Sequence, residues 1–178
     1  MDDPPKIEFV KEKLLVSDVF AHSAANLSPA IDSFASWILG GFGAGLALLL
    51  ANLDKVQHFI DVSTIRRAGL LFLAAIVVGI VEKLLALVVT TASRNFAAGR
   101  TIGAKFEGID IQAYFREAEK GFFIPARWLA ARSFKKLLSG DLAAMPRAII
   151  RLAQVQIWIA LAEAALIVRA IYTIVHAL

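Results

Sequence analysis

The segment that decides the fold runs from Arg66 to Arg94 and reads RRAGLLFLAAIVVGIVEKLLALVVTTASR. Its twenty-five central residues, Ala68 to Ala92, are almost wholly apolar. About 20 helical residues, at ~1.5 Å each, cross the ~30 Å hydrocarbon core of a bilayer. The segment therefore predicts a membrane-spanning helix. Glu82 and Lys83 interrupt it, and because ionisable groups are costly in lipid, we expect both to face protein or water.

The composition of the whole chain favours the same class. Of 178 residues, 58% are hydrophobic and 19% are charged, and the mean hydropathy is +0.68. Soluble domains are less apolar than this, and the length suits one compact unit. Cysteine is absent, which excludes disulfides, thiolate metal sites and a cysteine nucleophile. The first residues are acidic and lack the apolar core of a signal peptide, so we expect the first span to direct insertion.

Two further segments are predicted to cross the membrane, which makes the protein all-α with three transmembrane helices. Residues 34–53 carry no charge and lie between Asp32 and Asp54, and the last span is interrupted by Glu163 and Arg169. Residues 6–25 have the pattern of an amphipathic helix, either on the membrane surface or packed on a neighbour. The predicted regions are an amphipathic N-terminus (1–33), a transmembrane hairpin (34–92, with spans 34–53 and 68–92), basic interfacial helices (93–147) and a third span (148–178).

Small residues line the first span at helical spacing. Ser36, Gly40 and Ala44 are four residues apart, as are Gly41 and Gly45. Small residues at this spacing allow helix backbones to approach closely in lipid. A phosphate-binding loop is disfavoured, because no strand precedes the glycines and no lysine follows them. We expect this face to pack on another helix, either in this chain or in another subunit.

The last span carries polar residues on two sides. At 100° per residue, Gln156 and Glu163 share one face, and a larger polar set lies nearly opposite. Two polar faces predict a helix that packs on more than one neighbour. The opposite set is Arg151, Gln154, Trp158, Arg169, Tyr172 and His176.

The distribution of Lys and Arg predicts the orientation. A cytoplasmic N-terminus and a cytoplasmic segment 93–147 place thirteen of these residues inside and three outside, so the C-terminus is expected outside. Counting from Arg94 and Arg151, Glu82 and Glu163 each lie about 18 Å from the inner boundary. We therefore expect both near the bilayer midplane, with Lys83 paired to Glu163.

The midplane charges have two interpretations. Glu82, Lys83 and Glu163 could form an ion or proton path, because intramembrane ionisable groups often mark one. They could instead form a buried ion pair that sets helix register or subunit contacts. One pair without a chain of further carboxylates favours the structural interpretation.

The segment between the second and third spans is basic and contains aromatic residues. Asp110 is expected to cap one short helix, and a second helix is expected from Pro125 to the residues before Gly140. Aromatic residues among basic ones predict contact with anionic lipid headgroups rather than RNA, because apolar spans flank the segment. The predicted headgroup residues are Arg127, Trp128, Arg132, Lys135 and Lys136.

One weak candidate metal site precedes the second span. If residues 52–64 are helical, Asp54, His58 and Asp61 lie on one face at i, i+4 and i+7. Two carboxylates and an imidazole can hold a divalent metal. A solvated polar face is the simpler interpretation, so we predict neither a metal nor a cofactor.

No catalytic motif accompanies these features, since the chain lacks HExxH, a nucleotide-binding fingerprint and a supported Ser-His-Asp set. We expect a non-catalytic accessory or scaffold subunit of a bacterial inner-membrane complex, which contacts lipids and other subunits or its own copies and binds no nucleic acid. The alternative is a homo-oligomeric ion channel or membrane-permeabilising effector. A component of a membrane enzyme or transporter is a third hypothesis.

Overall fold

The computed structural model describes residues 7–56, 58–103 and 143–177, and between these last two ranges residues 110, 113, 117, 121, 127, 131, 132, 135, 136, 139 and 141. Within these residues, regular secondary structure is entirely helical, which confirms the all-α class. The helices are α1 (Ile7–Ala51), α2 (Leu53–Val56), α3 (Val62–Gly103) and α4 (Ala144–Val175).

Three of these helices are long and apolar enough to cross a membrane, as predicted. The candidate spans are Leu15–Ala51, Val62–Gly99 and Ala144–Val175. Their lengths of 37, 38 and 32 residues correspond to roughly 50 Å or more, which exceeds the ~30 Å hydrocarbon core.

The predicted N-terminal amphipathic helix and the predicted first span belong to one helix in the structure, and where the membrane-spanning part begins stays a prediction. α1 is one continuous helix of 45 residues that contains Pro29, and its apolar stretch begins at Leu15. Asp32 marked the predicted boundary because a lone charge usually ends an apolar span. In the structure this carboxylate has a cationic partner, Lys83, so the apolar stretch continues past it.

The connection between α1 and α3 is short and turns twice. α1 ends at Ala51, and the backbone N–H of Asn52 still donates to the carbonyl groups of Leu48 and Leu49 at 3.2 Å each. Asp61 then precedes α3, and its carboxylate accepts hydrogen bonds from the Ser63 backbone N–H and hydroxyl. This is the contact of a helix N-cap, which satisfies a donor that the first turn leaves free.

The chain forms two compact units, and the second comprises Asn26–Val88 with Leu152–Leu178. In this unit α1 runs antiparallel to α3, because Ser28 contacts Ala86 whereas Gly43 contacts Phe72. The buried positions of α4 alternate in steps of three and four, which is the 3.5-residue repeat of helices packed along a seam. They are Ala153, Gln156, Ala160, Glu163, Ile167 and Ala170.

The other unit comprises Met1–Ala25 with Val89–Arg151. Its described buried side chains are mostly small, and they include Ser17, Ala21, Ala24 and Ser93. Small side chains allow helix axes to approach closely, as in membrane helix pairs.

The predicted cap at Asp110 is present in this first unit. The Ala113 backbone N–H donates to the Asp110 carboxylate at 3.1 Å, as an N-cap residue requires. At the start of α4, Arg147 in the first turn of the helix forms an ion pair with Asp141, which precedes the helix. Contacts made by the side chain and backbone of Asp141 therefore organise the start of α4, because the Ala144 N–H also donates to the Asp141 carbonyl at 3.1 Å.

The predicted headgroup-binding residues are in part described. Arg127, Arg132, Lys135 and Lys136 are helical and exposed. Trp128 lies outside the described residues. Contact of these side chains with lipid stays a prediction.

Candidate functional site

Seven polar residues of the second unit form one layer, which we call the polar layer. The layer lies halfway along each long helix, since the candidate spans have their midpoints at Ser33, at Ile80–Val81 and at Ile159–Ala160. Polar groups are least stable at the centre of a span, so their partners decide whether the layer is tolerated. The layer consists of Ser28, Asp32 and Ser36 of α1, Glu82 and Lys83 of α3, and Gln156 and Glu163 of α4.

Glu82 and Gln156 are the centre of the layer, and both are 0% exposed. Gln156 Nε2 donates to Glu82 Oε1 at 2.6 Å and to the Ser28 carbonyl at 3.1 Å. The Ser28 hydroxyl in turn donates to the Ala86 carbonyl at 3.4 Å. One carboxamide therefore joins all three helices of this unit.

Lys83 points to the outer side of the same layer. Its Nζ lies 2.7 Å from Asp32 Oδ1 and 2.5 Å from Ser36 Oγ, and the Ser36 hydroxyl donates to the Asp32 carbonyl at 2.6 Å. The Lys83 and Asp32 side chains are 49% and 37% exposed. The predicted pairing of Lys83 with Glu163 is therefore wrong. Successive residues on a helix point about 100° apart, so Glu82 faces the interior and Lys83 reaches the carboxylate on α1.

Glu163 is buried against α3, and no cation among the described residues forms a hydrogen bond with it. A Cβ atom placed on Gly79 would lie 3.0 Å from Glu163 Oε1 and 3.2 Å from Oε2. The absence of a side chain at Gly79 thus provides the space that the carboxyl group occupies. Glu163 Oε2 receives no hydrogen bond from any described group, and only 2% of the residue is exposed.

The small residues of α1 divide into an inner and an outer set. A Cβ atom on Gly43 would lie 2.9 Å from the Phe72 ring, so this glycine is needed for packing inside the unit. Gly40, Gly41 and Gly45 have nothing within 4 Å of that position. Ala44 is exposed as well. The predicted packing face Ser36, Gly40, Gly41, Ala44 and Gly45 therefore contacts the described chain chiefly through Ser36.

The two polar sides of α4 have different surroundings. Gln156 and Glu163 are in the core of the unit, whereas Trp158 is 72% exposed. On this outer side Tyr172 stacks on His176 with ring centroids 5.4 Å apart, and the Arg169 guanidinium lies 5.6 Å from the Tyr172 ring centroid. Packing of the outer side on a further neighbour stays a prediction.

The candidate metal site at Asp54, His58 and Asp61 required these three residues to lie on one face of a single helix, and the structure does not place them so. Asp54 lies in α2, His58 lies in a turn, and Asp61 caps α3, so these residues do not share one helix face. The described residues contain no group of three His, Cys, Asp or Glu side chains arranged to hold a metal. Hydrogen bonding from Ser63 lowers the pKa of Asp61, which is the expected effect of donors that stabilise the carboxylate.

Sequence reasoning placed Glu82, Lys83 and Glu163 in one layer but missed four members of the site. Ser28, Asp32 and Gln156 supply the contacts, and Gly79 supplies space for Glu163. The spacing of these residues could have indicated that they are buried. Gln156 and Glu163 are seven residues apart, as are Ser28 and Ala35, and a seven-residue spacing is typical of positions on the packed side of a helix.

The layer combines three carboxyl groups, one ammonium group and one carboxamide. Three buried oxygens in it receive no hydrogen bond from a described group: Glu82 Oε2, Gln156 Oε1 and Glu163 Oε2. Such an arrangement can hold protons or fix the register of the helices. No protein-family model, curated protein or solved structure matches this chain.

Proposed function

We propose that this chain is a non-catalytic accessory or scaffold subunit of a bacterial inner-membrane protein complex. The observation that supports this role is a stripe on the outer side of α1. Asp32, Ser36, Gly40 and Ala44 follow one another at four-residue spacing, and Gly40 has no neighbour within 4 Å of its Cβ position. We call these four residues the α1 stripe.

A partner helix packed on the α1 stripe would be stabilised in two ways, by close packing and by burial of an exposed ion pair. Its backbone could approach Gly40 and Ala44 closely, which is how helices associate in lipid. The same helix would cover the Lys83–Asp32 pair, which is partly exposed halfway along an apolar helix. A charge exposed to lipid at the centre of a span costs about 3 kcal/mol, so covering the pair favours association.

Orientation and lipid contact follow from the charge distribution. In this proposal the N-terminus and residues 93–147 are cytoplasmic, and the C-terminus is outside. Arg127, Arg132, Lys135 and Lys136 contribute positive charge to the cytoplasmic side, where anionic headgroups attract basic side chains by about 1 kcal/mol each. These contacts would hold the subunit at the inner surface.

Native mass measurement in mild detergent tests the scaffold role. We expect the wild-type chain to migrate with other subunits or with its own copies, and Gly40→Leu to release it, because a leucine there blocks the α1 stripe. Gly69→Leu is the matched control, because Gly69 also has open space around its Cβ position but lies on α3. A monodisperse monomer with full biological activity, or a complex that survives Gly40→Leu, would exclude the proposal.

The second candidate is a homo-oligomeric ion channel or membrane-permeabilising effector. Three buried oxygens receive no hydrogen bond from the part of the chain that the structure describes, and they favour this candidate because intramembrane polar and ionisable groups often mark a conduction path. Purified protein would then conduct ions in liposomes, and Glu163→Gln or Lys83→Met would change the current. Sealed liposomes that contain correctly inserted protein would exclude it.

A further inference from the structure

Glu82 and Gln156 are joined by one hydrogen bond, and each also has a side-chain oxygen without a hydrogen-bond partner among the described residues. Gln156 Nε2 donates to Glu82 Oε1 at 2.6 Å. The remaining oxygens, Glu82 Oε2 and Gln156 Oε1, are both buried and receive no hydrogen bond from any described group. A carboxylate has no hydrogen to donate, and an amide oxygen is only an acceptor, so an ionised Glu82 leaves both oxygens unsatisfied.

A proton on Glu82 would give both unsatisfied oxygens, Glu82 Oε2 and Gln156 Oε1, a hydrogen-bond partner. If Glu82 Oε2 carries hydrogen, it becomes a donor, and Gln156, which is already bonded to Glu82 through Nε2, offers an unsatisfied acceptor in its amide oxygen. A carboxylic acid and a primary amide then form a closed ring of two hydrogen bonds, N–H to carbonyl oxygen and O–H to amide oxygen. Buried polar groups are nearly always satisfied in this manner.

No charged group among the described residues neutralises an ionised Glu82 in place of a proton. The charged groups that act on Glu82 are Asp32 of α1, Lys83 of α3 and Glu163 of α4, and the Asp32 carboxyl group lies within hydrogen-bonding reach of Glu82. The Lys83 ammonium is bonded to Asp32 and Ser36, and Glu163 adds a further carboxyl group. No described cation makes an ion pair with Glu82.

We propose that Glu82 and Gln156 form a proton-binding site at the centre of the second unit, in which Glu82 is a carboxylic acid hydrogen-bonded in a ring with the Gln156 carboxamide. The ligand is H⁺, and its exchange route passes Asp32, whose side chain is partly exposed beside Lys83. Release of the proton breaks one bond of the ring and leaves a negative charge among three helices. The site does not depend on the scaffold role, since every group in it belongs to one chain.

Infrared spectroscopy of the full chain in mild detergent tests the proposal directly. At neutral pH we expect the carbonyl stretch of a protonated carboxylic acid, which a carboxylate does not give. Glu82→Gln should remove the intensity of one acid. Glu163→Gln is the matched variant, because Glu163 is a second buried carboxyl group. An acid band that disappears only in Glu163→Gln, or no acid band in folded wild-type protein, would overturn the assignment.

Thermal unfolding supplies a second and independent readout. In Glu82→Gln the new amide N–H₂ can donate to Gln156 Oε1 as the acid O–H does, so the ring persists without a proton. We expect its Tm at neutral pH to stay within about 2 °C of the wild type. The wild type should lose stability as the pH rises above the ordinary pKa of a glutamic acid, about 4.3, because the unfolded chain then releases the proton that Glu82 keeps in the folded state. This loss should be smaller in Glu82→Gln. Equal pH dependence in both proteins contradicts the proposal.

Discussion

Glu82 and Lys83 are adjacent in the sequence, but their side chains lie in different surroundings. Glu82 is fully buried and shares a hydrogen bond with Gln156 of α4, whereas Lys83 is about half exposed and pairs with Asp32 of α1. The inner side of α3 therefore holds a polar contact enclosed by three helices, and the outer side holds one that is partly exposed. The comparison teaches that position around the helix, rather than depth along it, sets what each group contributes.

The largest expected effect is on the inner side. Gln156→Leu removes both hydrogen bonds that the carboxamide donates, to Glu82 and to the Ser28 carbonyl. We expect a loss of about 3 kcal/mol in the free energy of unfolding, because the remaining groups stay buried without partners. Denaturant unfolding in detergent, followed by circular dichroism, measures this loss.

Gln154→Leu is the control for that prediction. Gln154 is exposed and lies two residues away on a different side of α4. The same substitution there should change stability by less than about 0.5 kcal/mol. Equal losses in the free energy of unfolding at the two positions would mean that the hydrogen bonds of Gln156 do not stabilise the fold.

A smaller effect is expected where α1 packs on α3. Gly43→Ala places a methyl group 2.9 Å from the Phe72 ring, which itself packs edge-on against Phe42 at a centroid distance of 5.4 Å. Overpacking of this kind costs about 1–3 kcal/mol. Gly41→Ala, with open space around it, should instead keep or slightly raise stability, because alanine favours helix more than glycine does. The difference in Tm between the two variants is the measurement.

On the outer side the expected effect is about 1 kcal/mol. Lys83→Met and Asp32→Asn each break the ion pair, and partly exposed pairs contribute little. The double variant should recover part of the loss, since neither partner is then left alone. A double-mutant cycle with no coupling energy would show that the pair does not form in solution.

The smallest effect belongs to the cap at the start of α3. The lowered pKa of Asp61 means that its contribution to stability is present above the ordinary value of 3.8 and is lost as the pH falls through the lowered folded value. Asp61→Ala should remove this dependence and speed amide hydrogen exchange in the first turn of α3. Exchange that is unchanged by the substitution would contradict the capping role.

Much of the fold was predictable because long apolar runs have few alternatives. The spans at residues 68–92 and 148–178 are predicted from length and composition; α3 contains the first, and α4 contains the second as far as Val175. The helix continues past Asp32, where the sequence predicts the first span to begin, for a definite reason. A charge within an apolar helix is tolerated only when a partner lies close, and that partner is 51 residues away in the chain.

The candidate site was only half predictable for the same reason. Depth along a helix follows from counting residues, so Glu82, Lys83 and Glu163 were assigned to one layer. The pairing between helices also depends on their rotation and register. A choice between Glu163 and Asp32 as the partner of Lys83 requires knowing which side of α3 faces α1.

By itself, the amino-acid sequence determined an all-helical chain with three helices long and apolar enough to span a membrane, because apolar length is a property of each segment alone. Tertiary structure decided that Gln156 joins Glu82 to Ser28 and that Gly79 makes room for Glu163. These contacts join residues far apart in the chain, and a difference of about 100° in helix rotation would have given each of them another partner.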